Sequence, residues 1–457
     1  PDPIGLAVIV VPAKIVPHVL RECGEKGTSA VVIITAGFRE AGREGLEQER
    51  ELIDIAEEYD LRLIGPNCLG VIDTDTPLNA TFAAGMPPSG PIAFMSQSGA
   101  LGTAVLDLAM AGRVGFSKFV SLGNKADVSE TDLLRAWGDD THSRVILIYV
   151  EGLPDGQEFM DVARKVTRNK PVVAIKSGVT KSGSRAVSSH TGSLAGSEEA
   201  YKAAFKQAGV IRAASMEQVF DYALGFAYQP PAKGNRVGIV TNAGGPGILA
   251  TDAVEHAGLE IPRLSNETVQ ALKEYLPGAA SAANPVDVLG DALADRYEHA
   301  IALVLEDPKV DSLLVIITPQ AMTEIEKTAH AIGRLSEDAE KPILACFMGE
   351  ARVDAGIRVL REYGVPNYPY PERAAATLAA IDSYRREKDR PIFEPEPCKV
   401  CQPPVRELFD KVRDEGRVSI GDTEAREVLE AYGFPVPESR LAESADEAVD
   451  IAQEIGF

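Results

Sequence analysis

The sequence predicts an α/β protein built on doubly wound, mostly parallel sheets. Strand-length apolar runs alternate with helix-period segments along most of the chain. A strand, a glycine-bearing polar loop and a helix occur together twice. Proline-rich breaks cut the chain into blocks of domain size.

The runs "LAVIVV", "AVVIIT", "LRLIG", "PIAFMS", "FSKFVSL", "RVILIYV" and "KPVVAIK" are apolar at nearly every position. That suits strands covered on both faces. Helical segments such as "GLEQERELIDIAEEY" and "DGQEFMDVARKVTR" lie between them and supply the cover. "RVGIVT", "SLLVIIT" and "KPILACF" continue the pattern. Breaks fall at "MPPSGP" (86–91), at "YQPPAKGN" (228–235) and from Asp389 to Pro404. The predicted organisation is 1–86, 87–230, 231–388, a Pro-rich linker at 389–418, and 419–457 as the opening of a further domain.

Composition excludes several function classes. Lys and Arg total 46 against 68 Asp and Glu, a net charge of −22. A nucleic-acid surface needs a basic footprint, and so does docking on anionic lipid. No partner of either kind is expected. No run of about 18 apolar residues is present to span a membrane. The five cysteines form no disulfide framework, which suits a reducing cytoplasm. Cys398 and Cys401 make a lone CxxC without the further ligands a zinc site needs, so no metal site is expected. The chain opens without Met, on a strand, and stops inside a new block; it reads as a piece cut at both ends.

The duplicated unit is "FMSQSGALGTAVLDLAMAG" from Phe94 and "IVTNAGGPGILATDAVEHAG" from Ile239. Sliding one onto the other superposes Ser96 on Thr241, Gln97 on Asn242, Gly99 on Gly244, Gly102 on Gly247 and Asp107 on Asp252. Each is followed by a second polar loop, "SLGNKADVS" and "NPVDVLGDA". Two related flavodoxin-like domains account for this. A glycine loop before a helix directs backbone N–H groups and the helix dipole at an anion. Glycines also simply permit tight turns, but the duplication favours function. Leu101, Val105 and Leu108 are expected to pack the first helix, and Leu249, Ala253 and Val254 the second. Neither loop matches the P-loop pattern.

His190 lies in "VSSHTGSLAG", among small and hydroxyl residues. That composition predicts an open polar loop, not a core face. Imidazole is a good nucleophile for phosphoryl groups near neutral pH. A carboxylate orienting its other nitrogen would help, and Glu151, at the end of "VILIYVEG", is the candidate.

"GPNCLGV" (65–71), "FMSQSGALG" (94–102), "VEGLPDG" (150–156), "SHTGSLAG" (189–196) and "NAGGPG" (242–247) occur in this order. Together they resemble the nucleoside-diphosphate-forming acyl-CoA synthetases, relatives of succinyl-CoA synthetase. The likeness is greatest to the ADP-forming acetate–CoA ligases, in the α-subunit portion. The resemblance implies a Rossmann-like CoA-binding domain, truncated here, then two flavodoxin-like domains, a linker and the start of an ATP-grasp domain. It implies an acid–thiol ligase converting acyl-CoA, ADP and phosphate into a carboxylic acid, ATP and CoA, acetate first among the acids. His190 would be the phosphorylated nucleophile and Glu151 its orienting carboxylate. Ser96, Gln97, Ser98 and Gly99 would hold phosphate, as would Asn242, Gly244 and Gly245. CoA would lie against Val11, Pro12, Ala13, Ile34, Thr35 and Ala36, with Thr103 near the acyl group. ADP or ATP with Mg2+ would bind mainly in an ATP-grasp domain, in cis or as a β-subunit, within a dimer or heterotetramer. The stretch of 457 residues alone is expected to be inactive. A CoA-sensing regulatory part of a protein acetyltransferase and a plain CoA- or nucleotide-binding scaffold are the alternatives; a reactive histidine argues against both.

Overall fold

A computed structural model describes residues 4–111, 114–185, 197–391 and 402–456. The chain divides into two compact units, Pro1–Arg390 and Pro391–Phe457. The larger unit contains three sheets.

The first sheet is parallel, in the order β1 (Leu6–Ile9), β2 (Ala30–Ile33), β3 (Arg62–Ile64). Helices Val16–Glu25 and Arg43–Tyr59 cover it through a core that includes Leu20, Ile33, Leu52 and Leu63.

The second sheet comprises β4 (Gly70–Asp73), β5 (Leu78–Thr81), β6 (Ser89–Ser96), β7 (Phe116–Ser121), β8 (Val145–Val150), β9 (Val172–Lys176) and β10 (Ile211–Arg212). Its order is β10-β9-β8-β6-β7-β4-β5. The strands β6 to β10 are parallel, while β4 runs antiparallel to both β7 and β5. The β4–β5 hairpin precedes the "MPPSGP" break, yet it joins this second sheet. The hairpin is short and half exposed, so it lacks the apolar run that reveals the other strands.

The third sheet is parallel, in the order β12 (Val286–Asp287), β11 (Val237–Thr241), β13 (Ser312–Ile317), β14 (Ile343–Phe347). In both larger sheets the first parallel strand lies between the next two: β6 between β7 and β8, β11 between β12 and β13. This is the flavodoxin-like order, and it opens a crevice at the C-terminal end of that central strand.

Side-chain alternation gives each of these sheets two cores. Ile92 and Phe94 enter one core while Ala93 and Met95 enter the other. Leu313, Val315 and Ile317 likewise part from Leu314 and Ile316. Serine and aspartate caps start many of the covering helices: Ser98, Ser129, Asp155, Ser215 and Ser265 each accept a backbone N–H from the first turn. Two of the expected packing residues face outward instead. Leu108 is 38% exposed and Leu249 is 50% exposed, while Val105 and Val254 are buried. Both helices are rich in small residues, so few positions are needed to seat them on the sheet.

The smaller unit holds helices Gln402–Asp414, Asp422–Ala431 and Ala445–Ile455. Arg417 reaches Glu424 with two hydrogen bonds, and chiefly through them holds that carboxyl at about 2. Among the described residues, no helix is long and apolar enough to cross a membrane.

Candidate active site at two topological switch points

At the end of β6, Ser96 is fully buried. Its Oγ donates to the Ser98 carbonyl at 2.9 Å and accepts the Ser98 N–H at 3.0 Å. At the end of β11, Thr241 Oγ1 makes the same pair of bonds with Ala243, both 3.1 Å. The duplication thus extends to the hydrogen bonds. Each loop delivers the start of a helix, Gly99–Met110 or Gly244–His256, whose first N–H groups have no carbonyl one turn back. Gly102 permits close seating: a Cβ there would stand 2.8 Å from Phe119.

The second residue of each loop ties the loop to the third parallel strand of its own sheet. Gln97 Oε1 accepts the N–H groups of Glu151 and Gly152 at 2.7 and 3.0 Å. Its Nε2 donates to the Gly152 carbonyl at 2.7 Å and to Glu130. Asn242 Oδ1 accepts the Thr318 N–H at 2.9 Å and the Thr318 hydroxyl at 3.1 Å, while its Nδ2 donates to the Thr318 carbonyl at 2.9 Å. The side chains of Ser96, Gln97 and Asn242 are therefore committed inside the protein. The Ser98 N–H is likewise taken by Ser96, so the N–H groups open to a ligand begin at Gly99 in the first loop and at Gly244 and Gly245 in the second.

Glu151 follows β8, beside β6 in the sheet, and is 9% exposed. Charged groups crowd around it. Lys125 Nζ lies 3.1 Å from Glu130, whose side chain has no exposed surface. Burial pushes the Lys125 ammonium down, against the opposing pull of Glu130. Lys176 ends β9, paired in the sheet with Val150 just before Glu151, with its Nζ 4.7 Å from the centre of the Tyr201 ring. Burial lowers its affinity for the proton too, with the Glu151 charge opposing. His190, with the rest of 186–196, lies outside the described residues.

The expected CoA-side residues gather at the C-terminal edge of the first sheet. The Thr35 hydroxyl donates to the Val11 carbonyl at 2.7 Å, which ties the β1 end to the β2 end. Pro12 and Ala36 are exposed, while Val11, Ala13, Ile34 and Thr35 are partly buried. Thr103 is exposed on the first loop's helix and donates back to the Ala100 carbonyl at 2.7 Å. Burial raises the Cys68 and Cys346 thiols to about 12, which disfavours the reactive thiolate. Cys398 and Cys401 lie outside the described residues. Among those described, no cluster of three or more His, Cys, Asp and Glu could hold a metal ion.

Lys125, Glu130 and Lys176 carry no functional signal in the sequence. Lys125 lies in the polar loop 121–129, where a lone lysine reads as solvated. Glu130 reads as an ordinary first-turn charge on helix Glu130–Gly138. Only the packing of that helix against the switch point buries it.

Four family models match in order: a CoA binding domain at 1–74, a succinyl-CoA ligase like flavodoxin domain at 89–226, a Ligase-CoA domain at 237–390 and an ATP-grasp domain at 411–457. The chain is 45% identical, over its whole length, to acetate–CoA ligase [ADP-forming] I of Archaeoglobus fulgidus, and 42% identical to 4-hydroxybutyrate–CoA ligase [ADP-forming] of Nitrosopumilus maritimus. It spans 66% of the length of each. Over 83% of its residues it is 45% identical to the α subunit of acetate–CoA ligase [ADP-forming] II of Pyrococcus furiosus, covering 84% of that protein. A solved structure of an acetyl-coenzyme A synthetase 1 from Ca. Korarchaeum cryptofilum, in complex with phosphate and ADP, matches with a TM-score of 0.81 at 38% identity. The match covers 85% of this chain and 84% of that one.

Proposed function

The chain belongs to the ADP-forming acyl-CoA synthetase family, and we propose that it supplies the acyl-transfer and phosphohistidine part of an acid–thiol ligase. Phosphate displaces CoA from the acyl carbon to give an acyl phosphate. His190 then takes the phosphoryl group and releases the carboxylate, and ADP finally accepts the phosphoryl group to give ATP.

The observation that carries this reading is the position of Glu151. It stands at a switch point, just past the end of β8 beside β6, directly tied to a loop that offers helix N–H groups. There it can accept the Nδ1 or Nε2 proton of a histidine whose other nitrogen attacks phosphorus. The N–H group of Gly99, at the start of its helix, would hold the transferring phosphoryl group, and those of Gly244 and Gly245 a second phosphate position. Val11–Ala13 and Ile34–Ala36 would carry CoA. They sit at the C-terminal ends of β1 and β2, where an open α/β sheet takes its ligand, and Thr103 would face the acyl end. ADP with Mg2+ would be held mainly by the ATP-grasp part, fused or as a separate β-subunit in a dimer or heterotetramer, in the cytoplasm. Acetate is the acid we favour. Relatives of nearly equal identity carry names with acetate and with 4-hydroxybutyrate, so a panel of small acids belongs in the test.

The test uses the full-length protein with its ATP-grasp part, radiolabelled phosphate and acetyl-CoA. Wild type should acquire acid-labile, base-stable label, and His190→Asn should acquire none. Undiminished label in His190→Asn would overturn the assignment.

A further inference from the structure

Three of the four backbone polar groups of the Glu151–Gly152 segment are held by just two side chains. Gln97 Oε1 accepts both N–H groups, at 2.7 and 3.0 Å. The Gly152 carbonyl accepts from Gln97 Nε2 and from Lys125 Nζ, each at 2.7 Å. Behind them, Glu130 accepts from both donors, with Lys125 Nζ 3.1 Å from its Oε1. The Glu130 side chain has no exposed surface and that of Lys125 only 9%.

A buried ion pair of this kind is costly unless each partner is fully hydrogen-bonded. Here the bonds satisfy the pair and lead to one peptide segment. The backbone also departs from easy geometry to allow it. Lys125 adopts φ 58°, in the left-handed region that side-chain-bearing residues seldom occupy. Two residues earlier, Gly123 has φ 59°, and a Cβ there would stand 2.3 Å from the Pro66 carbonyl oxygen. The turn is thus pressed tightly against the end of the first domain while it presents its lysine to Gly152.

We propose that Gln97 and Lys125, backed by Glu130, are positioning residues that clamp the Glu151–Gly152 peptide and so set the direction of the Glu151 carboxylate. This differs from the expectation that the Gln97 side chain holds phosphate. Its amide is used on both sides, by two N–H groups on its oxygen and by a carbonyl and a carboxylate on its nitrogen. Lys125 acts through the same carbonyl, so the two side chains form one device. Small errors in placing a reacting or orienting group cost large factors in rate. The proposal rests on Glu151 being the orienting carboxylate.

The experiment measures steady-state ATP formation and single-turnover phosphohistidine labelling on the full-length protein with its ATP-grasp part, using acetyl-CoA and inorganic phosphate. Gln97→Met keeps the length and removes all four hydrogen bonds. It should lower kcat and the labelling rate by about a hundredfold, with the KM for phosphate unchanged within about twofold. Lys125→Met should act in the same direction, and Lys125→Arg should restore much of the loss. A phosphate-ligand role would instead raise the KM for phosphate with kcat retained; that result, or no change in either constant, overturns the proposal. If Gln97→Met does not fold, Gln97→Asn, one methylene shorter, carries the same comparison. Glu151→Gln separates the two readings. If it labels at the wild-type rate, the orienting role itself is wrong. If it fails to label while Gln97→Met stays fast, only the clamp is wrong.

Discussion

The two switch points share a scaffold and differ in what surrounds it. Both begin with a buried Ser or Thr that hydrogen-bonds two residues ahead, and both use an amide to tie the loop to the third parallel strand. At the first, that amide meets a peptide flanked by Glu151, Glu130, Lys125 and Lys176. At the second, Asn242 meets Thr318 and Thr323, both uncharged. The nearest atom to a Cβ placed on Gly244 is an Asp287 carboxylate oxygen, at 3.8 Å. The duplicated fold therefore sets a helix N-terminus at the end of its central strand twice. Among the described residues, the first has two buried carboxylates, Glu151 and Glu130, and two largely buried ammonium groups close by, surroundings in which proton affinities shift. Charge around the loop, more than loop geometry, is what distinguishes the two switch points.

The largest test of that contrast is Glu151→Gln. If the first switch point is the reacting centre, phosphohistidine formation should fall by about a hundred- to ten-thousandfold, read by rapid-quench labelling. Asn242→Leu strikes the equivalent scaffold at the second. It should cost about 1–3 kcal/mol of stability by stranding the Thr318 N–H and hydroxyl, seen as a lower denaturant midpoint, while kcat moves far less than in Gln97→Met. A kcat loss as large as that of Gln97→Met would abolish the contrast.

A smaller test uses the caps. Ser98 accepts the Leu101 N–H, whereas Ala243 provides no side-chain cap. Ser98→Ala should cost about 1 kcal/mol, and Ala243→Ser should gain a similar amount or less, both read from thermal unfolding.

The smallest effect concerns pH in the third domain. Burial pushes the Asp311 carboxyl up, but hydrogen bonds and charge from Arg236 outweigh this and hold it below the ordinary value of 3.8. A carboxylate lowered in the folded state contributes fully above its unfolded value and loses that contribution as pH falls through the folded one. Stability should therefore drop below pH 3.8. In Arg236→Gln that acid limb should be shallower, measured by urea titration at several pH values.

Much of the fold was legible because its signals are local. Apolar runs such as "VILIYV" and the glycine loops are short-range patterns, and the duplication made the two sheets visible as a pair. The β4–β5 hairpin was not legible as part of the second sheet, because four half-exposed residues per strand leave no periodicity. Leu108 and Leu249 are exposed because hydrophobic character alone does not fix inward orientation on a helix that small residues already seat.

The candidate site divides in the same way. The sequence by itself determined the strand–loop–helix units, the placement of Glu151 at a strand end and the family. Each depends on residues close together in the chain or on ordered motifs. Only the tertiary structure decided that Gln97 reaches Glu151 and Gly152, and that Lys125 and Glu130 are buried beneath them. Those partners come from different strands and loops, and the parallel crossovers between β6, β7 and β8 bring them together. A hydrogen bond made across such a crossover leaves no mark in local spacing. The burial that gives these charges their strength arises only when the sheet and its helices close around them.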